Sequence, residues 1–114
     1  MTKKNILIDI DGTVSEDIPN EESYRFSKAF VLDNSIISVN RLYDNGNNIT
    51  FFTARREKDR EVTEKWLKSN GFKYHQLLMN KPRGGNYVWI DNLDVKGIKY
   101  SDNWNSVTST VDNI

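Results

Sequence analysis

Short apolar runs, separated by polar or periodic stretches, predict that strands and helices alternate along this chain. Ile6 to Ile8 is purely aliphatic, which favours a buried strand over a helix. Ile49 to Thr53 combines β-branched and aromatic residues and predicts a second buried strand. Further strands are predicted from Tyr74 to Met79 and from Tyr87 to Ile90, with a short edge strand from Val95 to Tyr100.

Two helices are predicted between the first three strands. Apolar residues at helical spacing predict the first near residues 36–43, and Asn45-Gly46 stops it. The second is predicted from about Glu57 to Ser69 and is stopped by Asn70-Gly71. Strands joined through helices run parallel with right-handed crossovers, so the sequence predicts an α/β fold with a mostly parallel sheet.

Two segments lack such a pattern. Residues 15–31 are mostly polar, and three aromatic residues, Tyr24, Phe26 and Phe30, lie among the polar ones. They predict a loop or flap whose aromatic rings either fold back onto the domain or contact a substrate. Residues 101–114 are polar and weakly patterned, so we expect a loop, a short helix or a frayed end. At 114 residues, residues 1–114 are expected to form one domain.

Composition narrows the classes of function. Sixteen basic and sixteen acidic residues give zero formal net charge, so no nucleic acid or anionic membrane is required as a partner. Without cysteine, and with His75 as the single histidine, thiol catalysis, cysteine zinc sites and multi-histidine metal clusters are excluded. No apolar run approaches a membrane span, and Met1 to Lys4 leads into the first strand without a signal-peptide core, so we expect a cytoplasmic protein.

Candidate chemistry begins where the first strand ends. Asp9 and Asp11 should lean to one side of the extended chain, roughly 6–7 Å apart along the backbone. Two carboxylates so close repel each other unless a cation or a proton lies between them. Gly12 permits a sharp turn, although an ordinary Asx-rich turn contains the same residue types. Parallel strands end at one edge of a sheet, so Thr53 should lie at the same edge, where open sheets bind ligands.

The string Asp-Ile-Asp-Gly-Thr at residues 9–13 resembles the first motif of the haloacid dehalogenase-like (HAD) phosphatases. Thr53, Lys81 and Asp91 are similar, in the same order, to the residues of the other three motifs. The strings Arg-Leu-Tyr-Asp-Asn-Gly, Phe-Thr-Ala-Arg and Tyr-Val-Trp-Ile-Asp further resemble small phosphatases of the capsular-polysaccharide-biosynthesis and phage type. The resemblance implies a Rossmann-like, three-layer α/β/α fold. In that superfamily a cap domain is inserted either between the first motif and the second strand or between the second and third motifs. Neither of these intervals has room for one in this chain.

This resemblance implies a magnesium-dependent phosphomonoester hydrolase that forms an aspartyl-phosphate. Asp9 would be the nucleophile, and Asp11 the general acid and then the general base. Thr53 and nearby backbone N–H groups would hold phosphoryl oxygens. Lys81 would neutralise charge at the nucleophile and the phosphate, and Pro82 would help to fix its direction.

The resemblance also implies a metal shell. Mg²⁺ would bind Asp9, Asp91 and the backbone carbonyl of Asp11. Family members often have two adjacent acids at the fourth motif, whereas this chain has Asn92 second. Asn92 would therefore bring hydrogen bonds but no charge, and Asp94 is a substitute acid.

Residues 54–56 follow the second motif. Ala54 and Arg55 are candidate substrate-binding positions. The Arg55 and Arg56 guanidinium groups would either contact phosphate or pair with Asp59 and Glu61.

The expected substrate is a small phosphorylated metabolite such as a sugar phosphate, with no obligatory nucleic acid and no membrane. A capless site needs other cover, for which we expect the flap and a neighbouring subunit of a homo-oligomer, or else a large substrate. The alternatives are a polynucleotide or nucleotide phosphatase, a non-catalytic HAD-like module, and a receiver-like phosphate-binding module. The receiver fits less well, because its phosphoacceptor follows the third strand.

Overall fold

A three-stranded parallel sheet forms the centre of the computed structural model, which describes residues 3–114. The strands are β1 (Asn5–Ile8), β2 (Asn48–Phe52) and β3 (Gln76–Leu78), and β2 lies between the other two. Both pairings are parallel, which confirms the predicted α/β class and strand direction. Met1 and Thr2, predicted to lead directly into β1, lie outside the described residues.

The helices are α1 (Ser35–Asp44), α2 (Arg60–Ser69) and α3 (Trp104–Asp112), with 3₁₀ helices at Asn20–Lys28 and Glu57–Asp59. Both predicted helices are confirmed, because the second prediction spans the short 3₁₀ helix and α2. Their glycine stops are confirmed as well: Gly46 and Gly71 have φ angles of 92° and 83°, in the left-handed region that glycine adopts without strain. Of the outcomes expected for the C-terminal residues, the short helix is the one that forms.

The flap, defined as residues 15–31, is folded onto the domain through one of its three aromatic rings. Phe26 is fully buried, whereas Tyr24 and Phe30 are 78% and 61% exposed. The helix of the flap packs against α2, and the indole Nε1 of Trp66 donates a hydrogen bond to the carbonyl of Ala29 at 2.8 Å. Core packing is therefore confirmed for Phe26, while the other two rings face solvent.

The hydrophobic core joins the sheet to all three helices and to the flap. It draws on β1 and β2, on both connecting helices and on α3, with members that include Ile8, Phe51, Leu42, Leu67, Trp104 and Phe26. A core on this scale fixes the carboxyl ends of the strands, where the candidate residues lie.

The predicted strands at Tyr87–Ile90 and Val95–Tyr100 are wrong. Residues 82–99, called here the exposed segment, contain no strand, and each of them is exposed. Gly84, Gly85 and Asn86 have consecutive φ angles of 104°, 74° and 56°, and this run of left-handed conformations interrupts any extended path before Tyr87. Strand propensity measures the fit to a half-buried pleated surface, and here the apolar run meets no such surface.

Among residues 3–114, no helix combines the length and apolar character needed to cross a bilayer.

Candidate active site

The chain turns sharply after β1 around one carbonyl oxygen. The Ile10 carbonyl accepts hydrogen bonds from the backbone N–H groups of Thr13, Val14 and Ser15 at 3.0, 2.9 and 3.2 Å. Gly12 sits in this turn with a φ angle of 83°, which confirms the predicted role of glycine there. The indole Nε1 of Trp104 donates to the Thr13 carbonyl at 2.8 Å, so α3 holds the turn that carries both aspartates.

Asp9 has a carboxylate that is oriented and partly open to solvent. Its Oδ1 accepts from Lys81 Nζ at 2.9 Å, and its Oδ2 accepts from the Thr13 hydroxyl at 3.2 Å. The side chain is 37% exposed, against 14% for Lys81. Both oxygens are thus fixed while one side of the group remains accessible.

Lys81 is placed by the ends of two strands. Its backbone N–H donates to the Thr53 carbonyl at 2.9 Å, and Asn80 before it has a φ angle of 66° and donates to the Arg55 carbonyl at 2.8 Å. Its ammonium lies 5.8 Å from the ring centre of Phe52 and 5.2 Å from that of Tyr87. The ammonium is therefore held beside Asp9 between two aromatic rings.

Asp11 forms a two-pronged ion pair with a buried arginine. Arg55 donates through Nη2 to Asp11 Oδ1 at 2.8 Å and through Nε to Oδ2 at 3.0 Å. Burial raises the pKa of the Asp11 carboxyl above its ordinary range; the charges of Asp9 and Asp17 act in the same direction, and the Arg55 guanidinium opposes them. On balance the pKa of Asp11 is raised, although both oxygens of its carboxylate are paired with Arg55.

Thr53 closes the end of β2 with its side chain turned inward. Thr53 is fully buried, and its hydroxyl oxygen accepts a hydrogen bond from the Arg55 backbone N–H at 3.1 Å. Its own N–H donates to the Leu78 carbonyl at 2.9 Å, which ties β2 to β3. The next residue, Ala54, accepts a hydrogen bond on its carbonyl from Asn20 Nδ2 at 2.9 Å, so the flap is tied to this turn.

Asp91 does not join the other candidate residues. Its carboxylate is exposed and accepts from the Leu93 backbone N–H at 3.0 Å and from Trp89 Nε1 at 3.1 Å, and these bonds lower its pKa. Within residues 3–114, no three histidine, cysteine or acidic side chains converge to hold a metal ion. The structure therefore brings Asp9, Asp11, Thr53, Arg55 and Lys81 into one network and leaves Asp91, Asn92 and Asp94 in the exposed segment.

The two arginines after the second motif behave differently from each other. Arg55 is fully buried, and it pairs with Asp11, not with Asp59 or Glu61. The interpretation that it is a solvated surface residue is therefore wrong. Arg56 is exposed. Arg55 is buried because the ring of Phe26 gives it a surface to pack against. The centre of that ring lies 3.7 Å from the guanidinium carbon of Arg55.

Three residues of this network were missed by the sequence analysis. Thr13 belongs to the first motif but was given no role, although its hydroxyl orients Asp9. Thr63 lies on α2, and its hydroxyl accepts from Arg55 Nη1 at 3.0 Å. Asn20 fixes the turn after β2. Only Thr13 had a signal in the sequence, since the contacts of the other two depend on how α2 and the flap pack.

An open cleft of about 640 Å³ lies elsewhere, beside β3 and α2. It is lined by side chains such as Tyr43, Lys73 and His75 and contains none of the candidate residues. Lys73 is paired with Asp44 at 2.9 Å, and the His75 ring stacks on Tyr43. The candidate chemistry therefore lies at the end of the sheet and not in this cleft.

No family model matches the sequence, and no curated protein matches it. Solved structures do share the fold. A structure titled Pnkp1/Rnl/Hen1 complex aligns with a TM-score of 0.60 at 22% identity over 75% of this chain, and one titled Pnkp1/Rnl/Hen1 RNA repair complex with 0.61 at 23% over 71%. This chain spans only 30% and 27% of the length of those two chains. A crystal structure of an MCSG target from Vibrio cholerae aligns with 0.59 at 18% identity over 96% of this chain and 99% of its own length.

Proposed function

We propose that this chain is a HAD-like phosphatase domain, with the three-layer arrangement of that superfamily and no cap, that hydrolyses a phosphomonoester through an aspartyl-phosphate. Asp9 carries the proposal: its partly exposed carboxylate is held at one oxygen by Lys81 and at the other by Thr13. A nucleophile must be both accessible and oriented, and Asp9 meets both conditions. An aspartate that serves only in an ordinary turn is stabilised by its neighbours in the chain, whereas Asp9 is also bonded to a lysine 72 residues away. The fold shared with solved structures supports the same proposal.

The reaction proceeds in two steps through Asp9 and Asp11. In the first, an Asp9 carboxylate oxygen forms a bond to phosphorus, the bond from phosphorus to the leaving oxygen breaks, and protonated Asp11 gives its proton to that oxygen. In the second, a water attacks phosphorus and loses a proton to Asp11, while the phosphate leaves and Asp9 is regenerated. The raised pKa of Asp11 suits the first step, because the acid must be protonated when the alcohol departs.

Lys81 balances charge where the phosphoryl group arrives. Its ammonium is 2.9 Å from Asp9 Oδ1, so a phosphate that reaches Asp9 comes within reach of the same cation. Thr53 acts through the backbone around it: its buried hydroxyl accepts from the Arg55 N–H and its carbonyl holds Lys81. In the proposed site Thr53 and Ala54 border the phosphate pocket, and Thr53 contributes by placing Lys81.

Replacing Lys81 tests this charge balance. Lys81→Met should lower kcat/KM for phosphate release on the order of 10²-fold, the usual loss when one preorganised charge at the transition state is removed. The assay is release of inorganic phosphate, in the presence of Mg²⁺, from a panel of sugar phosphates, nucleotides and phosphorylated oligonucleotides. Lys58→Met, at an exposed lysine of the 3₁₀ helix before α2, is the matched control. Equal activity in both variants would remove Lys81 from the site, and a wild-type protein inactive on the whole panel would refute the phosphatase proposal.

The substrate class we propose is a small phosphorylated metabolite. A second candidate is the phosphorylated end of a polynucleotide, because one fold neighbour is titled an RNA repair complex and the Tyr87 ring, 56% exposed, lies 5.2 Å from the Lys81 ammonium. An aromatic ring beside a phosphate site offers a stacking surface to a terminal base. Cover of the site by the flap and a neighbouring subunit stays a prediction, and the exposed rings of Tyr24 and Phe30 are its candidate contacts.

Magnesium is the cofactor we propose, and the residues as arranged do not yet fit it. The Asp9 carboxylate is partly exposed, but one of its oxygens is bonded to Lys81, and the Asp91 carboxylate is bonded to Trp89 and to the backbone of Leu93. Asp91 therefore joins the metal only if the exposed segment moves toward Asp9. Gly84 and Gly85, whose φ angles of 104° and 74° few other residues adopt, provide a point at which that segment can turn.

Thermal melting in increasing Mg²⁺ concentrations checks this proposal without an activity assay. An ion that binds only the folded protein raises the free energy of unfolding by mass action, by about 2.7 kcal/mol when its concentration is 100 times its Kd. The Tm rises accordingly. Asp91→Ala should weaken this response, whereas Asn92→Ala, at the adjacent exposed residue, should leave it unchanged. An unchanged response in Asp91→Ala would show that Asp91 is not a ligand. No response in the wild-type protein would refute the proposal that Mg²⁺ is the cofactor.

A further inference from the structure

We propose that Arg55 is a positioning residue for Asp11, held in place by Phe26 of the flap, and that it does not bind the substrate phosphate. The inference rests on the proposed phosphatase function. It reassigns a side chain whose position after the second motif pointed to the phosphate.

The contacts of the Arg55 guanidinium are made inside the protein. Nε and Nη2 bond both oxygens of Asp11, and Nη1 bonds the hydroxyl of Thr63 at 3.0 Å. That hydroxyl in turn donates to the Asp59 carbonyl at 2.7 Å, so its oxygen is left to accept from Arg55. The side chain of Arg55 has no exposed surface, against 15% for that of Asp11. A phosphate arriving from solvent therefore meets the aspartate, not the arginine.

The face of the guanidinium is occupied as well. Its carbon lies 3.7 Å from the ring centre of Phe26, which is itself fully buried. A planar cation stacked on an aromatic ring and fixed at its edge by a carboxylate has no freedom left to rotate. To reach a phosphate, Arg55 would have to leave Asp11 without a partner in a partly buried site, and removing one partner of such a pair is strongly unfavourable.

The ion pair leaves Asp11 able to transfer protons. A carboxylate has about four lone-pair sites, and the two bonds from Arg55 use half of them. The two parallel bonds fix the plane of the carboxylate, so the remaining sites keep one direction. Asp11 is thereby oriented toward the leaving oxygen, while the partly exposed edge of the group stays accessible.

The flap becomes part of this arrangement through two contacts. Phe26 packs on the guanidinium, and Asn20 Nδ2 bonds the carbonyl of Ala54, the residue before Arg55. Both contacts come from the 3₁₀ helix Asn20–Lys28. The position of the flap therefore sets the orientation of the acid–base group.

Leaving groups of different quality separate positioning from phosphate binding. p-Nitrophenyl phosphate releases a stable anion that needs no proton, whereas an alkyl phosphate needs the acid in the same step. Arg55→Lys keeps the charge but cannot form the two parallel bonds. With the alkyl phosphate, its kcat should fall on the order of 10²-fold with KM within about threefold of the wild type. With p-nitrophenyl phosphate, rapid mixing should show a burst of p-nitrophenol at close to the wild-type rate, followed by slow turnover as the aspartyl-phosphate waits for its base.

Two further variants keep the test decisive. Thr63→Val removes one hydrogen bond of Arg55 and should show the same pattern at smaller amplitude, even if Arg55→Lys melts below the assay temperature. Arg41→Met, which removes a surface arginine paired with Asp112 at 3.1 Å, should leave kcat and KM unchanged for both substrates. A rise in KM with unchanged kcat, or a burst of p-nitrophenol slowed as much as turnover of the alkyl phosphate, would show that Arg55 binds phosphate and would overturn the inference. A wild-type protein that releases phosphate from neither substrate would instead refute the proposed function itself.

Discussion

Asp9→Asn is expected to abolish phosphatase activity, by at least about 10³-fold in kcat, while the protein stays folded. The amide has nearly the shape of the carboxylate, so the turn after β1 and the hydrogen bond from Thr13 can persist. It is a poor nucleophile, however, and cannot form the aspartyl-phosphate on which the proposed reaction depends. The measurement is phosphate release from the best substrate of the panel, together with trapping of a phosphorylated protein in acid.

Asp33→Asn, at an exposed aspartate before α1, is the matched control and should keep full activity. Thermal melting of both variants shows whether a loss is chemical. Wild-type turnover by Asp9→Asn would eliminate the covalent mechanism. If Asp9→Asn loses both activity and its fold, Asp9→Glu is measured instead. This variant keeps the charge but displaces the nucleophilic oxygen, so it should be folded and inactive.

Phe26→Ala is expected to lower the free energy of unfolding by about 3–5 kcal/mol, the usual result of emptying a buried phenylalanine site. Phe26 is fully buried, and its ring also packs on the Arg55 guanidinium, so the substitution uncovers a cation as well as creating a cavity. A loss of this size is a large part of the 5–15 kcal/mol that stabilises an ordinary domain. Denaturation in urea, with an unchanged dependence on urea concentration, measures it.

The flap supplies its own control for this prediction. Tyr24→Ala removes an aromatic ring two residues away that is 78% exposed, and it should change stability by no more than about 0.5 kcal/mol. If the two substitutions were equally mild, the flap would not be packed through Phe26, and the link from the flap to Arg55 would fail with it.

The parts of the fold that were predictable are those set by local pattern. β1, β2, α1 and α2 follow from apolar periodicity and from glycine stops that only a left-handed residue can provide. At the site, the ammonium of Lys81 lies 2.9 Å from Asp9 Oδ1, and the role that the resemblance to HAD phosphatases implies for this lysine stays a prediction.

The parts that failed depend on partners distant in the chain. Tyr87 to Ile90 has the composition of a strand, but the three positive φ angles before it and the lack of a paired neighbour leave it outside the sheet. Arg55 has no local signal that its partner is Asp11, because that pairing depends on Phe26 and Thr63 arriving from two other elements. Likewise, nothing local distinguishes Phe26 from Tyr24; only the packing of the flap on α2 decides which ring is buried.

The exposed segment begins and ends on fixed points of the same site. Before it, Lys81 is bonded to the Thr53 carbonyl, and after it Trp104 is bonded to the Thr13 carbonyl. Doubling the length of a loop between fixed ends costs only about 0.6 kcal/mol. This core can therefore accept a longer insertion at residues 82–99 with its sheet and the turn after β1 unchanged.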